Sequence, residues 1–357
     1  MMTQNPSHDD HAITLDAHLE SLRKALHDAQ QARKEETLTP DAMQEALTQL
    51  ASNLRRDFPQ QSEIAVLEAS MQDLLDGYWA RVKDQETNAP TGLGRLDDVL
   101  NGGFQRKRLV VLLGAPGSGK TSLANQIAEH VASVHPVLYV TSEDTPDVLL
   151  AKTLARVGQM KYSAALYGWE RERERIIAAI QAISAHPSAK NLRYVDASMG
   201  LPAGMDDIRQ RARAHFADKP GPGLLVVDYL QRLARTVRDA AGIRDLREAV
   251  TMLTEQLRAM ACELDCSVLA IASMNRASGY GRTDASALSS AKESGDIEYT
   301  ADVIMALTEE TGGRKAPPGM APRALRIDKN RQGETSILAL DWYADRQQFT
   351  VADRDGR

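Results

Sequence analysis

The run from Gly114 to Thr121, GAPGSGKT, stands between the apolar stretch 109–113 and the helix-patterned SLANQIAEHVA, and few chain paths satisfy all three pieces at once. Gly114, Ala115, Pro116, Gly117, Ser118, Gly119, Lys120 and Thr121 match G-x-x-x-x-G-K-[ST] in full, with a strand before and a helix after, the context a phosphate-binding loop requires. The glycines let backbone N–H groups converge on phosphate oxygens at a helix N-terminus. Lys120 then reaches the β- and γ-phosphates, and the Thr121 hydroxyl ligates Mg²⁺. ATP and Mg²⁺ are the ligands this pattern implies; the plain alternative is a Gly-rich turn that binds nothing.

Around that loop the chain alternates short apolar runs with helical segments: RLVVLLG, SLANQIAEHVA, PVLYVTS, LLVVDYL, a helix near 246–264, then SVLAIAS. Such alternation implies a mostly parallel sheet covered by helices on both faces, so the class is α/β. A Gly/Pro-rich loop, 312–322, precedes what reads as a final strand near 324–327. At 357 residues the chain exceeds one ordinary domain. The rest is read as a small all-α N-terminal region. Residues 1–12 form a disordered tail. Helices follow over 13–84, the last of them, 62–84, with a broad apolar face; a linker spans 85–90, the main domain 91–351, and a polar tail 352–357.

With 43% hydrophobic and 26% charged residues and no apolar run near the roughly 18 residues of a membrane span, a cytoplasmic chain with no membrane partner is expected. The start of the chain has no basic segment followed by an apolar block, as a secretory signal would. Cys262 and Cys266, four apart without a nearby His, read as small core residues rather than a metal or disulfide site. A net charge of −6 argues against a broad basic nucleic-acid groove, although a channel needs positive charge only on a few inward loops.

Two carboxylates accompany the loop. Asp228 ends the run LLVVD, at the carboxyl end of a buried strand where open sheets bind ligands; it either holds Mg²⁺ or caps a turn. Glu143 follows the strand 137–140 and precedes Thr145-Pro146, a helix start. It either orients an attacking water or serves as a first-turn charge.

Four stretches in the same order and spacing resemble the DnaB-type hexameric replicative helicases, whose motor domain has the RecA-like fold: TGLGRLDDVLNGGF leading into the P-loop, PVLYVTSED, LLVVDYLQ, and SAKESGDIEYTADVIMAL followed by IDKNRQG. The resemblance covers about residues 91–349 and implies a RecA-like P-loop domain and an ATP-dependent DNA helicase. It implies Glu143 as catalytic base and Arg331, beside Lys329, as a finger reaching a neighbouring subunit. On the residues alone, KNRQG reads as a turn with a surface arginine. The ESG segment, with Lys292, Glu293 and Gly295, resembles the channel loop that holds single-stranded DNA by its backbone. A second DNA candidate is 232–247, with Arg232, Arg235, Arg238, Arg244 and Arg247, which could equally be a solvated face. Aromatics are few (four Phe, nine Tyr, three Trp) and none clusters in these loops, so phosphate contact is expected over base stacking.

The resemblance also implies a homohexamer, single-stranded DNA as partner, and a loader or other replication proteins. Two departures stand out. Ser273 occupies the place of a glutamine that senses the γ-phosphate, and serine is too short for that contact. About 85 residues stand in place of the family's larger N-terminal domain, so primase binding is not implied. Two other readings remain, a RecA-fold regulatory or recombination ATPase that does not unwind DNA, and a nucleotide-dependent DNA clamp.

Overall fold

A computed structural model describes residues 71, 75, 88–198, 204–217, 219, 221–241, 243–273, 295–310 and 316–352. The chain divides between Tyr78 and Trp79, and the elements below belong to the second unit. The expected tail 1–12 and helices 13–84 lie outside the described residues except at Met71 and Leu75, both helical and exposed. In chain order the elements are β1 (Asn88–Ala89), α1 (Gly94–Val99), β2 (Phe104–Gln105), β3 (Arg108–Gly114), α2 (Lys120–Val131), β4 (Val137–Thr141), α3 (Pro146–Val157), α4 (Tyr162–Tyr167), α5 (Arg173–Ala185), α6 (Ser188–Asn191), β5 (Leu192–Asp196) and α7 (Met205–Phe216). There follow β6 (Leu224–Asp228), α8 (Leu230–Ala241), α9 (Leu246–Glu263), β7 (Ser267–Ser273), α10 (Gly295–Thr300), β8 (Val303–Glu309), β9 (Ala321–Asn330), β10 (Ser336–Tyr343) and β11 (Gln348–Val351).

Nine strands form one sheet in the order β11-β10-β9-β8-β3-β7-β6-β4-β5. Pairing is parallel from β8 through β5 and antiparallel from β8 out to β11. The inner parallel strands β3, β4, β6 and β7 are apolar along most of their length because both their faces are covered, whereas β5 at the edge is not. Alternation sorts their side chains: Leu109, Val111 and Leu113 of β3 pack into one core with α9, whereas Val110 and Leu112 pack into the other with α2. Helix α2 presents Leu123, Ile127 and Val131 at four-residue spacing, with Ala124 and Ala128 allowing close approach to the sheet.

The C-terminal strands exceed the sequence expectation. The strand expected near 324–327 runs from Ala321 to Asn330 and is not the last, since β10 and β11 follow it. Strand β1 falls in the stretch expected as a linker, and Ala352, expected in the tail, is buried with its N–H donated to Ala339 O at 3.0 Å. Only Cys266 is a core residue; Cys262 is exposed at the end of α9, where an outward turn of the helix places it, and both are free thiols.

At the amino end of the parallel strands, Asp302 is almost wholly buried. Its Oδ2 accepts the Leu109 N–H at 2.9 Å and faces Arg258 Nε at 2.9 Å, while Oδ1 faces Arg108 at 3.4 Å and Arg331 at 3.7 Å. Taking the carboxylate away would strand a buried N–H and several guanidinium groups. Asp302→Ala is therefore expected to lower unfolding free energy by about 3 kcal/mol, read from chemical denaturation.

Candidate functional site

Parallel register sets the site. Gly114 at the end of β3 lies opposite Ser273 on β7, and Asp228 on β6 lies opposite both Ile271 on β7 and Thr141 on β4. The carboxyl ends of these strands thus meet at one edge, with the loop 115–119 curling into α2 beside them. Gly119, the cap of α2, has φ +99°, and a Cβ there would stand 2.8 Å from the Phe349 ring. The hairpin of β10 and β11 closes on this helix start. Phe349 stacks on Trp342 at 4.2 Å, exchanges two hydrogen bonds of 2.8 Å with the Gln126 amide, and Gln347 accepts from Ser122 at 2.6 Å. Pro116, Lys120, Thr121, Glu143, Asp228 and Ser273 line an open cleft of about 1100 Å³.

Asp228 is buried at the floor of this cleft. Its Oδ2 accepts a 2.8 Å hydrogen bond from the Tyr139 hydroxyl, and Oδ1 has no well-formed partner. Burial pushes its carboxyl up to about 6, against the Tyr139 and Thr121 hydroxyls, which ease the charge. Burial and then the neighbouring Asp228 drive the Tyr139 hydroxyl far above its ordinary range, so it stays protonated and donates. A divalent cation fits this geometry: one buried carboxylate oxygen has no well-formed partner, and the Thr121 hydroxyl lies against the same carboxylate. Among the described residues no group of three or more His, Cys, Asp or Glu could hold a metal unaided, so phosphate oxygens and water would complete a Mg²⁺ shell.

The loops after β4 and β6 are stitched together. Ser142 donates to Asp228 O from both its N–H (2.7 Å) and its hydroxyl (3.1 Å), and its Oγ accepts from Tyr229 N at 3.3 Å. Glu143, the next residue, is exposed and lines the cleft. Lys152 on α3 holds the adjacent Asp144 at 2.6 Å, and Pro146 opens α3 as expected. Lys120 donates to Ala115 O at 2.7 Å; burial pulls its ammonium below the ordinary lysine range, with Asp228 and then Glu143 acting the other way. Ser273 is gripped through its backbone, since its N–H donates to Gln231 Oε1 and its carbonyl accepts from Gln231 Nε2, each at 3.1 Å. Tyr139, Ser142, Gln231 and Lys152 escaped the sequence reading. A tyrosine inside a buried strand and a serine next to Glu143 were the available signals.

Arg331 lies elsewhere. It follows β9 at the amino edge of the sheet, donates from Nη2 to Tyr299 O, and faces Asp302, whose partner Leu109 is the second residue of β3. Five strand steps separate Leu109 from Gly114, roughly 17 Å, so this side chain cannot reach its own P-loop. Lys329 donates to Glu298 O; burial and then Arg331 lower its ammonium. Both cations therefore occupy carbonyls in the last turn of α10, where a helix leaves acceptors unpaired. Opposite Ile304 and Met305 the ladder skips Asp328, a bulge that re-aims the chain just before Lys329. KNRQG is thus a strand end, Lys329 and Asn330, followed by a turn at 331–332.

Of the expected DNA contacts, Lys292 and Glu293 lie outside the described residues, and Gly295 opens α10. Arg235 is exposed on α8, whereas Arg238 spends charge on Asp239 at 2.8 Å. No described helix is long and apolar enough to cross a membrane.

A phosphate loop ending a central strand, with carboxylates presented by the parallel strands to one side and an antiparallel extension on the other, is the architecture of RecA-like P-loop proteins. Two solved structures share it: the ATPase domain of G40P (TM-score 0.69, 21% identity, 80% of this chain and 100% of that one) and a DnaB-like replicative helicase solved in a study of its interactions with primase (TM-score 0.66, 22%, 97% and 79%). The DnaB-like helicase C-terminal domain family matches residues 89–351, and the chain belongs to that family. Similar curated proteins include the replicative DNA helicase DnaB of Pasteurella multocida (27% identical over 291 residues, 80% of this chain, 60% of that protein). The DnaB of Haemophilus influenzae is 28% identical over 260 residues (71% and 53%), and the replicative DNA helicase DnaC of Bacillus subtilis 25% over 277 (76% and 58%). The chain thus spans little more than half the length of these relatives.

The raised Asp228 pKa makes a stability prediction. Its folded pKa lies above the unfolded value, so the penalty is absent below about pH 4, grows as pH rises, and is full above about 6. Asp228→Asn is expected to raise the thermal midpoint in metal-free buffer at pH 7.5, by about 2 kcal/mol in equivalent free energy, with the gain vanishing near pH 4.

Proposed function

We propose that the protein is a cytoplasmic ATP-dependent DNA helicase or translocase that works as a head-to-tail ring, six copies by family likeness, moving on single-stranded DNA. The observation that carries the reading is the position of Arg331 at the sheet edge remote from its own P-loop. A finger there can serve only the nucleotide of a neighbouring copy, and repeated head-to-tail contacts of that kind close into a ring when the rotation permits. Membership of the DnaB-like C-terminal domain family supports the same reading.

In this mechanism the backbone N–H groups of the Gly114–Thr121 loop and the Lys120 ammonium hold the β- and γ-phosphates. Glu143 accepts a proton from the water whose oxygen attacks the γ-phosphorus, and the bond to the bridging oxygen breaks as ADP leaves. Thr121 and, through water, Asp228 would hold Mg²⁺, which would supply positive charge to offset that of the phosphates. Arg331 of the adjacent copy, with Lys329 beside it, balances the charge developing on the transferred group. Ser273, at the cleft and fixed by Gln231, reports the γ-phosphate through the position of β7 rather than by its own side chain. Lys292, Glu293 and Gly295 contact the DNA backbone, assisted by Arg235 and, more weakly, Arg238. Lys329 and Arg331 hold the far end of the helix that Gly295 opens, which connects the finger to the residues proposed to contact DNA. A loader or other replication proteins would place the ring on DNA.

Unwinding of a forked DNA by the full chain tests the proposal: ATP-dependent strand separation should vanish in Lys120→Ala, and hydrolysis without any unwinding, with a loader supplied, would sink it. Glu143→Gln should lower kcat about 10²- to 10⁴-fold while nucleotide still binds in a fluorescence titration. Arg331→Ala should lose roughly 10³-fold or more in ATPase rate. Mixing Arg331→Ala with Lys120→Ala, each inactive alone, should restore hydrolysis at interfaces that pair an intact P-loop with an intact finger. A mixture as inactive as its components would show that Arg331 does not act across an interface.

A further inference from the structure

We infer that Tyr139 is a positioning residue for the metal-binding carboxylate: its hydroxyl fixes the Asp228 side chain so that Oδ1 alone faces the Thr121 hydroxyl and the nucleotide phosphates. The inference rests on the metal reading of Asp228 and Thr121 given above.

Three observations carry it. The two oxygens of Asp228 differ, Oδ2 accepting from Tyr139 at 2.8 Å while Oδ1 is buried without a well-formed partner. A carboxylate free to rotate about its last bond would exchange those roles; a donor locked on one oxygen prevents the exchange. Tyr139 itself cannot move away, because it is fully buried on β4, in the core on the α2 side, with its ring 5.6 Å from that of Tyr194. Pairing of β4 with β6 sets Tyr139 opposite Val226, two residues before Asp228, so the long phenol spans one strand pair to reach the carboxylate. Backbone bonds from Ser142 hold the main chain of Asp228 independently, which leaves the orientation of its side chain to side-chain partners, of which Tyr139 makes the well-formed hydrogen bond. Tyr194 provides a matched control: its hydroxyl donates to Asn125 Oδ1 at 3.1 Å and does not touch Asp228.

The test uses the full-length protein and a MANT-labelled, non-hydrolysable ATP analogue titrated with Mg²⁺, with Mn²⁺ electron paramagnetic resonance reporting cation binding directly. Tyr139→Phe keeps the ring and removes only the donor. It should raise the Mg²⁺ concentration at half-saturation about 10-fold, the lower end of what outer contacts to a metal site cost. Binding of the analogue in EDTA should stay within about twofold of wild type, and Tyr194→Phe should leave the Mg²⁺ dependence unchanged. A wild-type Mg²⁺ dependence in Tyr139→Phe, or an equal shift in Tyr194→Phe, would overturn the inference, since the first denies any role and the second makes it one of packing. Asp228→Asn separates the two levels. If it abolishes Mg²⁺-dependent binding while Tyr139→Phe is normal, only the role of Tyr139 fails; if it too is normal, the metal reading fails with it.

Discussion

Burial of β3 on both faces is the constraint on which the molecule depends. Its five apolar side chains divide between two cores, one built on α9 and one on α2, so no functional group can leave the strand sideways. Chemistry is confined to its two ends. At the carboxyl end, the loop 115–119 must turn tightly into α2, and adjacent parallel strands bring their own ends to the same edge because their registers are level. The clustering of Asp228, Ser273, Lys120 and Glu143 in one cleft follows from that register.

The amino end of β3 has a different task. Asp302 ties the Leu109 N–H to Arg258 and Arg108 and meets Arg331 at the surface, and the bulge at Asp328 delivers Lys329 and Arg331 to the last carbonyls of α10. One strand thus links the P-loop cleft to a cationic corner facing away from it.

Around the cleft most buried polar groups are matched, Asp228 Oδ1 and the Ser118 hydroxyl of the P-loop being exceptions. Asp228 O is met twice by Ser142, Oδ2 is met by Tyr139, and Gln231 closes on both backbone groups of Ser273. Burying the Asp228 carboxylate with Oδ1 lacking a well-formed partner costs stability, and a structure carries such a cost where a ligand is to be met. The Trp342–Phe349 pair shows the converse, apolar packing from the antiparallel edge of the sheet that holds the P-loop helix and leaves no room at Gly119 for a bulkier residue.

Local chemistry in the sequence was enough for the phosphate loop, the four parallel strands 108–114, 137–141, 224–228 and 267–273, and the helix that Pro146 begins. Continuous apolar runs and a glycine-lysine-threonine turn carry their meaning within a dozen residues. Strand β5, with only partly buried side chains, and the hairpin of β10 and β11 have no such signature. They are strands because a neighbour offers an unpaired edge. The same holds for the site. Lys120, Thr121, Asp228 and Glu143 were readable from type and position, whereas Tyr139 against Asp228, Gln231 around Ser273 and Asp302 beneath Arg331 join residues 89, 42 and 29 positions apart. The sequence by itself therefore determined which candidate groups the cleft would hold. Only the tertiary structure decided which oxygen of Asp228 is left bare and which way Arg331 faces, because both depend on strand register, and register is set by packing across the whole sheet.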